Sequence, residues 1–292
     1  MADVNERDDQ GRKQARASPW LLLAPGVVFL FLFFFFPLFT LFQMSLSYRP
    51  SRFEDPVFGW EWSNYSEAFS QYGEQFSRSF VYAGLATLAA LAIAYPLAYV
   101  IAFRGGRYKN VLLGLVVVPF FTNFLIRTLA WKTIVGDQGW VVDTLRWIGI
   151  LGENESLLRR PIAVVGGLTY NFLPFMVLPI YVALEKIDPR LVDAARDLYS
   201  NTWRAFRKIV FPLSLPGVFA GSLLVFIPAA GDFVNAYYLG SAKTTMIGNV
   251  VQNQFLVQVD YPVAAALSFV FMAIVMMIVV VYSKILGTED IA

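Results

Sequence analysis

The segment Asp193-Ala-Ala-Arg-Asp-Leu-Tyr-Ser-Asn-Thr-Trp-Arg-Ala-Phe-Arg-Lys-Ile-Val-Phe-Pro212 is the longest strongly basic stretch between two apolar runs. Just ahead of it, Asp188-Pro189 reads as a helix start, with Asp as a cap and Pro suited to the first helical position. Leu191, Ala195 and Leu198 follow at helical spacing on one face. Ser200-Asn201-Thr202 breaks that helix and supplies new caps. Trp203, Phe206 and Val210 carry an apolar stripe onward until Pro212 ends it before the next apolar run. The pattern predicts two short helices and a turn at a membrane surface, presenting small residues and one apolar ridge outward. Such a ridge fits a groove on a soluble partner. The plainer alternative is an amphipathic helix lying on lipid headgroups.

The flanking runs decide the class. Of 292 residues, 57% are hydrophobic and 15% charged, and the mean hydropathy is +0.56. That is the composition of a polytopic membrane protein. Six apolar runs cover about 19–47, 79–103, 111–135, 161–184, 212–239 and 262–283. Each exceeds the ~20 residues a helix needs to cross the hydrocarbon. The first is far longer than a signal-peptide core and reads as an uncleaved span. The expectation is an all-α membrane protein: a polar tail over 1–18, a six-span domain over 19–286 with its basic loop at 186–211, and a short tail over 287–292. A second, amide-rich stretch from Met246 to Gln258 is too polar to cross and reads as a short helix against the outer face.

Charge placement sets the orientation. The tail, the second and fourth loops and the C-terminus carry fourteen Lys and Arg, and the opposite face carries seven. The termini and the basic loop are therefore expected on the cytoplasmic side of a bacterial inner membrane. The outer loops hold ten acids against those seven bases. That is a solvated surface, or a dock for a binding protein and a weak lure for a cation.

Several chemistries are excluded. The chain has no Cys and no His, which removes thiolate chemistry and the commonest general base and metal ligand. No phosphate-binding Gly-x-x-x-x-Gly-Lys-Ser/Thr occurs, and Lys243-Thr244 lacks the glycine frame. If ATP is used, another chain binds it. No catalytic or metal residue is assigned, and a net charge of +2 makes no case for nucleic acid.

Ionisable groups inside the runs need a reason, because each costs roughly 2.5–3.5 kcal/mol on insertion scales. Arg127 and Lys132 lie in the third run, with Asn123 just before them, and Asp232 lies in the fifth. Lys132 can snorkel to the outer headgroups. Arg127 and Asp232 either pair with each other or leave Asp232 facing a translocation path, where it would attract a cation. Pro228 and Gly231 weaken the helix there and free carbonyls. Tyr170 and Asn171, ahead of Pro174, form a second polar break. Tyr170, Phe233 and Tyr237 are candidates to stack on an ammonium group, against the simpler role of packing.

The segment Asp193-Ala194-Ala195 followed by Ile209 and Phe211-Pro212 resembles the cytoplasmic loop of ABC-importer permeases. That pattern runs acidic-Ala-Ala, three residues, Gly, nine residues, Ile, one residue, Leu-Pro. Here Asp stands for Glu, Phe211 for Leu and Tyr199 for Gly, so Asn201 is expected to take the left-handed turn instead. Three further stretches resemble the spermidine/putrescine branch, the first of its two paired permeases: Val118-Pro-Phe-Phe-Thr-Asn-Phe-Leu-Ile-Arg-Thr128, Leu173-Pro-Phe-Met-Val-Leu-Pro179 and Ile247-Gly-Asn-Val-Val-Gln-Asn-Gln-Phe255. The resemblance covers about 20–285 and implies a type I importer permease fold with no catalysis of its own. It further implies a second permease, an ATPase dimer holding ATP and Mg, an extracytoplasmic binding protein, and a polyamine as cargo. Within it, Asp193, Ala194, Ala195, Arg196, Leu198, Tyr199, Trp203, Phe206, Ile209 and Pro212 would form the ATPase-coupling loop. Two rival classes remain open: a secondary transporter using Asp232 as a proton or sodium site, and a membrane-embedded enzyme, against which the lack of His, Cys and paired carboxylates argues.

Overall fold

The computed structural model describes residues 23–51, 54–188, 190, 191, 194 and 201–285. Helix α1 (Leu23–Ser45) is apolar on every side, and its most apolar window is wholly unburied within the chain. Only its later half packs on the last helix. Strands β1 (Ser47–Tyr48) and β2 (Val57–Phe58) form a minimal antiparallel ribbon. Helix α2 (Ser63–Arg104) has 42 residues, about 63 Å at 1.5 Å per residue. That is roughly twice the hydrocarbon thickness, so its first half stands beyond the apolar layer. The apolar run expected over about 79–103 is the inner half of this helix, and the helix continues outward beyond it. Tyr65, Ala68, Tyr72 and Phe76 continue the helical period outward through polar sequence.

The core is three helices in mutual contact: α2, α6 (Pro161–Glu185) and α7 (Trp203–Ala230). Ala83, Ala86, Ala90, Ala94 and Ala98 of α2 are all fully buried. Their spacing makes a stripe of small residues that lets backbones approach, which is how helices associate where lipid tails remove the hydrophobic drive. Gly217 and Gly221 of α7 do the same against α6. A Cβ on Gly217 would stand 2.5 Å from the Pro179 carbonyl oxygen and 2.6 Å from the Ala183 Cβ. Tyr95 ties α2 to α7 by a 2.7 Å hydrogen bond with buried Ser214. A second, smaller core joins α2 to α9 (Ile247–Leu256) and α10 (Tyr261–Ile285) through Phe76, Ile247, Val250, Leu267 and Val270. The short helix expected between Met246 and Gln258 is α9. It lies at the far end of the bundle from the basic loop, with its Ile247 amide donating to Ser79 at 2.7 Å.

Two expected spans are broken. The third was expected to run straight over 111–135. Instead α3 (Lys109–Val117) and a 3-10 turn lead to a bend of 99° before α4 (Phe124–Ile134). Pro119 occupies the start of that turn, and Asn123 adopts an extended conformation and caps α4 by accepting from the Leu125 amide at 2.9 Å. The fifth was expected to reach Leu239. It stops at Ala230, with Gly231 as C-cap, and resumes as the six-residue α8 (Val234–Leu239). That break falls where Pro228 and Gly231 are expected to weaken the helix. One short helix, α5 (Trp140–Trp147), lies in what reads as an outer loop.

Candidate functional site

Two regions hold the candidate side chains: the basic segment and the zone of the two helix breaks. The first is the basic segment. Asp193, Ala195, Arg196, Leu198 and Tyr199 lie outside the described residues. Ala194 is helical and exposed. Asp188 caps as expected, its side chain accepting from the Arg190 amide at 2.9 Å. Asn201 also caps, accepting from the Trp203 amide at 2.9 Å. Its carboxamide thus starts the next helix, while the turn expected to be left-handed at Asn201 involves residues 195–200, which lie outside the described residues.

The stripe from Trp203 to Val210 faces inward more than outward. Trp203 is exposed, but Val210 is buried and Ile209 half-buried. Phe206 sits among four rings: Trp203 at 5.3 Å, Tyr95 at 5.7 Å, Tyr99 at 5.9 Å and Phe211 at 6.2 Å. The expected outward ridge is thus mostly a clamp onto α2. Pro212 stands near the start of the regular α-helix that follows a π-turn over Phe206–Val210. Such turns recur at functional sites and mark places where a helix shifts register. At the base of the segment, Lys109 reaches Glu185 at 2.5 Å and lies 5.3 Å over the Tyr181 ring. The end of α6 and the start of α3 are tied together there.

The second region lies between the two breaks. Arg127, Thr128, Asn171, Asp232 and Asn235 are all buried although polar. Asn171 donates to Thr128 Oγ1 at 3.1 Å and to Asn235 Oδ1 at 3.0 Å. Arg127 donates to the Asn171 carbonyl at 3.4 Å and lies 5.6 Å over Phe120 and 5.7 Å over Phe124. The Asn235 amide donates to the Asp232 carboxylate at 2.7 Å. These contacts form one polar seam joining α4, α6 and α8. No ion pair joins Arg127 to Asp232 among the described residues; two asparagines stand between them, so direct pairing is not what holds either charge. Arg127 Nε, Trp131 Nε1 and Asn171 Oδ1 are buried with no partner, whereas the Asn235 side chain lies against the Asp232 carboxylate. Each such orphan costs about 1–3 kcal/mol.

Of the aromatic candidates, Tyr170 is exposed and stacks on Trp131 at 5.4 Å. Phe233 and Tyr237 are exposed. No ring contact joins these three among the described residues, so a closed aromatic cage is not assembled here. Asn123 is exposed at its cap. Lys132 is exposed on α4. Sequence reasoning passed over Thr128, Trp131 and Asn235. The available signal was spacing: Asn235 follows the charged Asp232 by three residues, one helical turn, within a run otherwise aromatic and apolar.

A bundle of apolar spans, two of them interrupted by capped breaks that bury polar groups at depth, is the construction of a membrane permease. The chain belongs to the family of binding-protein-dependent transport system inner membrane components, whose model matches residues 94–287. It is therefore a multi-pass inner-membrane protein. It is 40% identical, over 76% of its length and 78% of theirs, to the spermidine/putrescine transport system permease protein PotB of Haemophilus influenzae. It is also 40% identical to the protein of the same name from Escherichia coli, over 68% of this chain and 72% of that one. The fold matches a chain of a bacterial ABC transporter involved in the import of the acidic polysaccharide alginate. The TM-score is 0.74 at 19% identity, covering 94% of this chain and 97% of that one.

Proposed function

We propose that this chain is one of two paired permease subunits of an ATP-driven importer, and that its cargo is a polyamine of the spermidine or putrescine kind. The likeness to the spermidine/putrescine permeases carries this reading. A carboxylate at the break between α7 and α8 suits a cationic cargo. ATP and Mg are held by a separate ATPase dimer on the side of the basic loop, which is cytoplasmic together with both termini. An extracytoplasmic binding protein delivers cargo to the opposite face. This chain performs no catalysis.

The test is uptake of labelled spermidine into vesicles holding both permeases and the ATPase, with the binding protein outside and ATP inside. Uptake that needs ATP and survives collapse of the ion gradients supports the reading. Uptake that needs a gradient and ignores ATP makes the chain an ion-coupled carrier. ATP-driven transport indifferent to spermidine and putrescine moves the cargo to another small organic solute.

Two variants refine the reading. Asp232→Asn keeps one oxygen for the Asn235 backbone amide and replaces the other with an NH2, so the charge is lost with little change in shape. The half-saturating spermidine concentration is expected to rise about tenfold, ~1.4 kcal/mol, with the unfolding midpoint unchanged. Loss of stability in step with uptake would place Asp232 in the scaffold. Phe206→Ala empties the ring cluster that joins the basic segment to α2. It is expected to leave ATP hydrolysis running while uptake per ATP falls, measured as the ratio of the two rates. An unchanged ratio would make Phe206 packing alone.

A further inference from the structure

A groove of about 830 Å3 runs along α6 and α7 where the basic segment joins them. Its walls are apolar: Leu178 and Val182 of α6, Leu213, Pro216 and Ala220 of α7, and Leu191 beyond the end of α6. Val182, Leu191 and Leu213 are each about half exposed, so this chain itself leaves the groove open. The floor is closed. There a Cβ on Gly217 would meet that of Ala183 at 2.6 Å. Membrane helices associate through small residues and hydrogen-bonding side chains. Here the small residues are already engaged between α6 and α7, and none of the wall residues carries a hydrogen-bonding side chain. Such a lining suits an acyl chain better than a further helix.

One end of the groove is charged. Lys186 and Asp188 line it there, and both are exposed. Helix α6 has 25 residues, about 37 Å at 1.5 Å per residue, against roughly 30 Å of hydrocarbon. Residues just past its end therefore stand at headgroup level. Lys186 has no ion-pair partner among the described residues, and the acid before it, Glu185, is held by Lys109. Asp188 uses one carboxylate oxygen to cap the Arg190 amide at 2.9 Å, which leaves the other for a cation. A base and an acid two residues apart match a headgroup that carries a phosphate and a primary ammonium, each of which makes charge-assisted hydrogen bonds. A purely anionic headgroup would set its phosphate against Asp188, and a methylated choline has no N–H to donate.

We propose that this groove is a phospholipid site in the leaflet beside the basic segment. It holds phosphatidylethanolamine, with an acyl chain along α6 and α7, the phosphate on Lys186 and the ammonium on Asp188. Because Leu191 also lines the groove, the bound lipid touches the basic segment as well as the two helices that segment joins.

The test is native mass spectrometry of the chain with its partner subunits, released from nanodiscs holding equal parts of phosphatidylethanolamine, phosphatidylglycerol and phosphatidylcholine. Phosphatidylethanolamine is expected to be retained about fivefold over either of the others, which is what one exposed ion pair supplies. Ala220→Trp sets a ring in the groove from an exposed position. It is expected to remove one retained lipid and to leave the second permease bound. Asp188→Asn still caps the Arg190 amide and is expected to erase the preference while a lipid stays bound. Equal retention of the three lipids by the parent complex overturns the proposal, since the groove then holds lipid without recognising it. An Ala220→Trp complex that keeps its full lipid count also overturns it, and loss of the second permease from that complex makes the groove a protein interface instead. Should the Ala220→Trp chain misfold, the parent's lipid preference and its response to Asp188→Asn still decide. The measurement reads bound lipid and needs no uptake, so a failed cargo reading leaves it standing.

Discussion

A Gly217→Val chain is expected to lose its folded state on extraction, whereas Gly84→Ala melts at or slightly above the parent. Both glycines lie inside helices of the central bundle, and the difference is what surrounds them. A Cβ on Gly217 meets a backbone carbonyl at 2.5 Å, the Ala183 Cβ at 2.6 Å and the Ile180 Cα at 3.1 Å. None of these is the end of a flexible side chain, so only separation of α7 from α6 relieves the clash. Overpacking ordinarily costs about 1–3 kcal/mol. Here the whole α6–α7 contact opens, including Gly221 on Met176 one turn further along. Total stabilities of about 5–15 kcal/mol leave little to spare. Gly84 has nothing within 4 Å of its Cβ position, and Ala is favoured over Gly in a helix by roughly 1 kcal/mol. The measurement is the unfolding midpoint and the monodisperse fraction in detergent. A Gly217→Val chain melting with the parent would show that close α6–α7 contact is not what holds the bundle.

Gly217 and Gly221 show what was legible and what was not. Gly217-x-x-x-Gly221 is a small-residue spacing known to bring membrane helices together, so the signal stood in the sequence. It was outweighed by the run's high hydropathy, which reports crossing and says nothing about which face packs. Hydropathy marked the spans that proved to be single unbroken helices. It overran at 111–135 and 212–239, because apolar residues continue past a bend as readily as along a helix. There the informative residues were single ones, Asn123 as a cap and Gly231 as a stop. Burial of Asn235 depends on α8 folding back against α6, a long-range contact that no local pattern encodes. The inward turn of Phe206 depends likewise on Tyr95 and Tyr99, more than a hundred residues earlier.

An arm bearing Ala194→Arg is expected to insert and fold normally yet transport at background. Ala194 is helical and exposed, so an arginine there meets solvent and costs the isolated subunit almost nothing. If residues 186–211 seat in a cleft of an ATPase, the position is closely covered in the assembly. A bulky cation placed at such a contact costs about 2 kcal/mol or more, roughly thirtyfold in affinity. ATPase co-purification is expected to fall together with uptake, while Ala194→Ser retains both. The lipid alternative predicts the opposite sign. A helix resting on anionic headgroups gains about 1 kcal/mol from an added arginine, so Ala194→Arg would transport as well as the parent or better. The two readings of the segment therefore separate on one substitution. Normal transport by that variant would sink the coupling reading, and with it the route by which a partner's nucleotide cycle reaches Phe206 and α2.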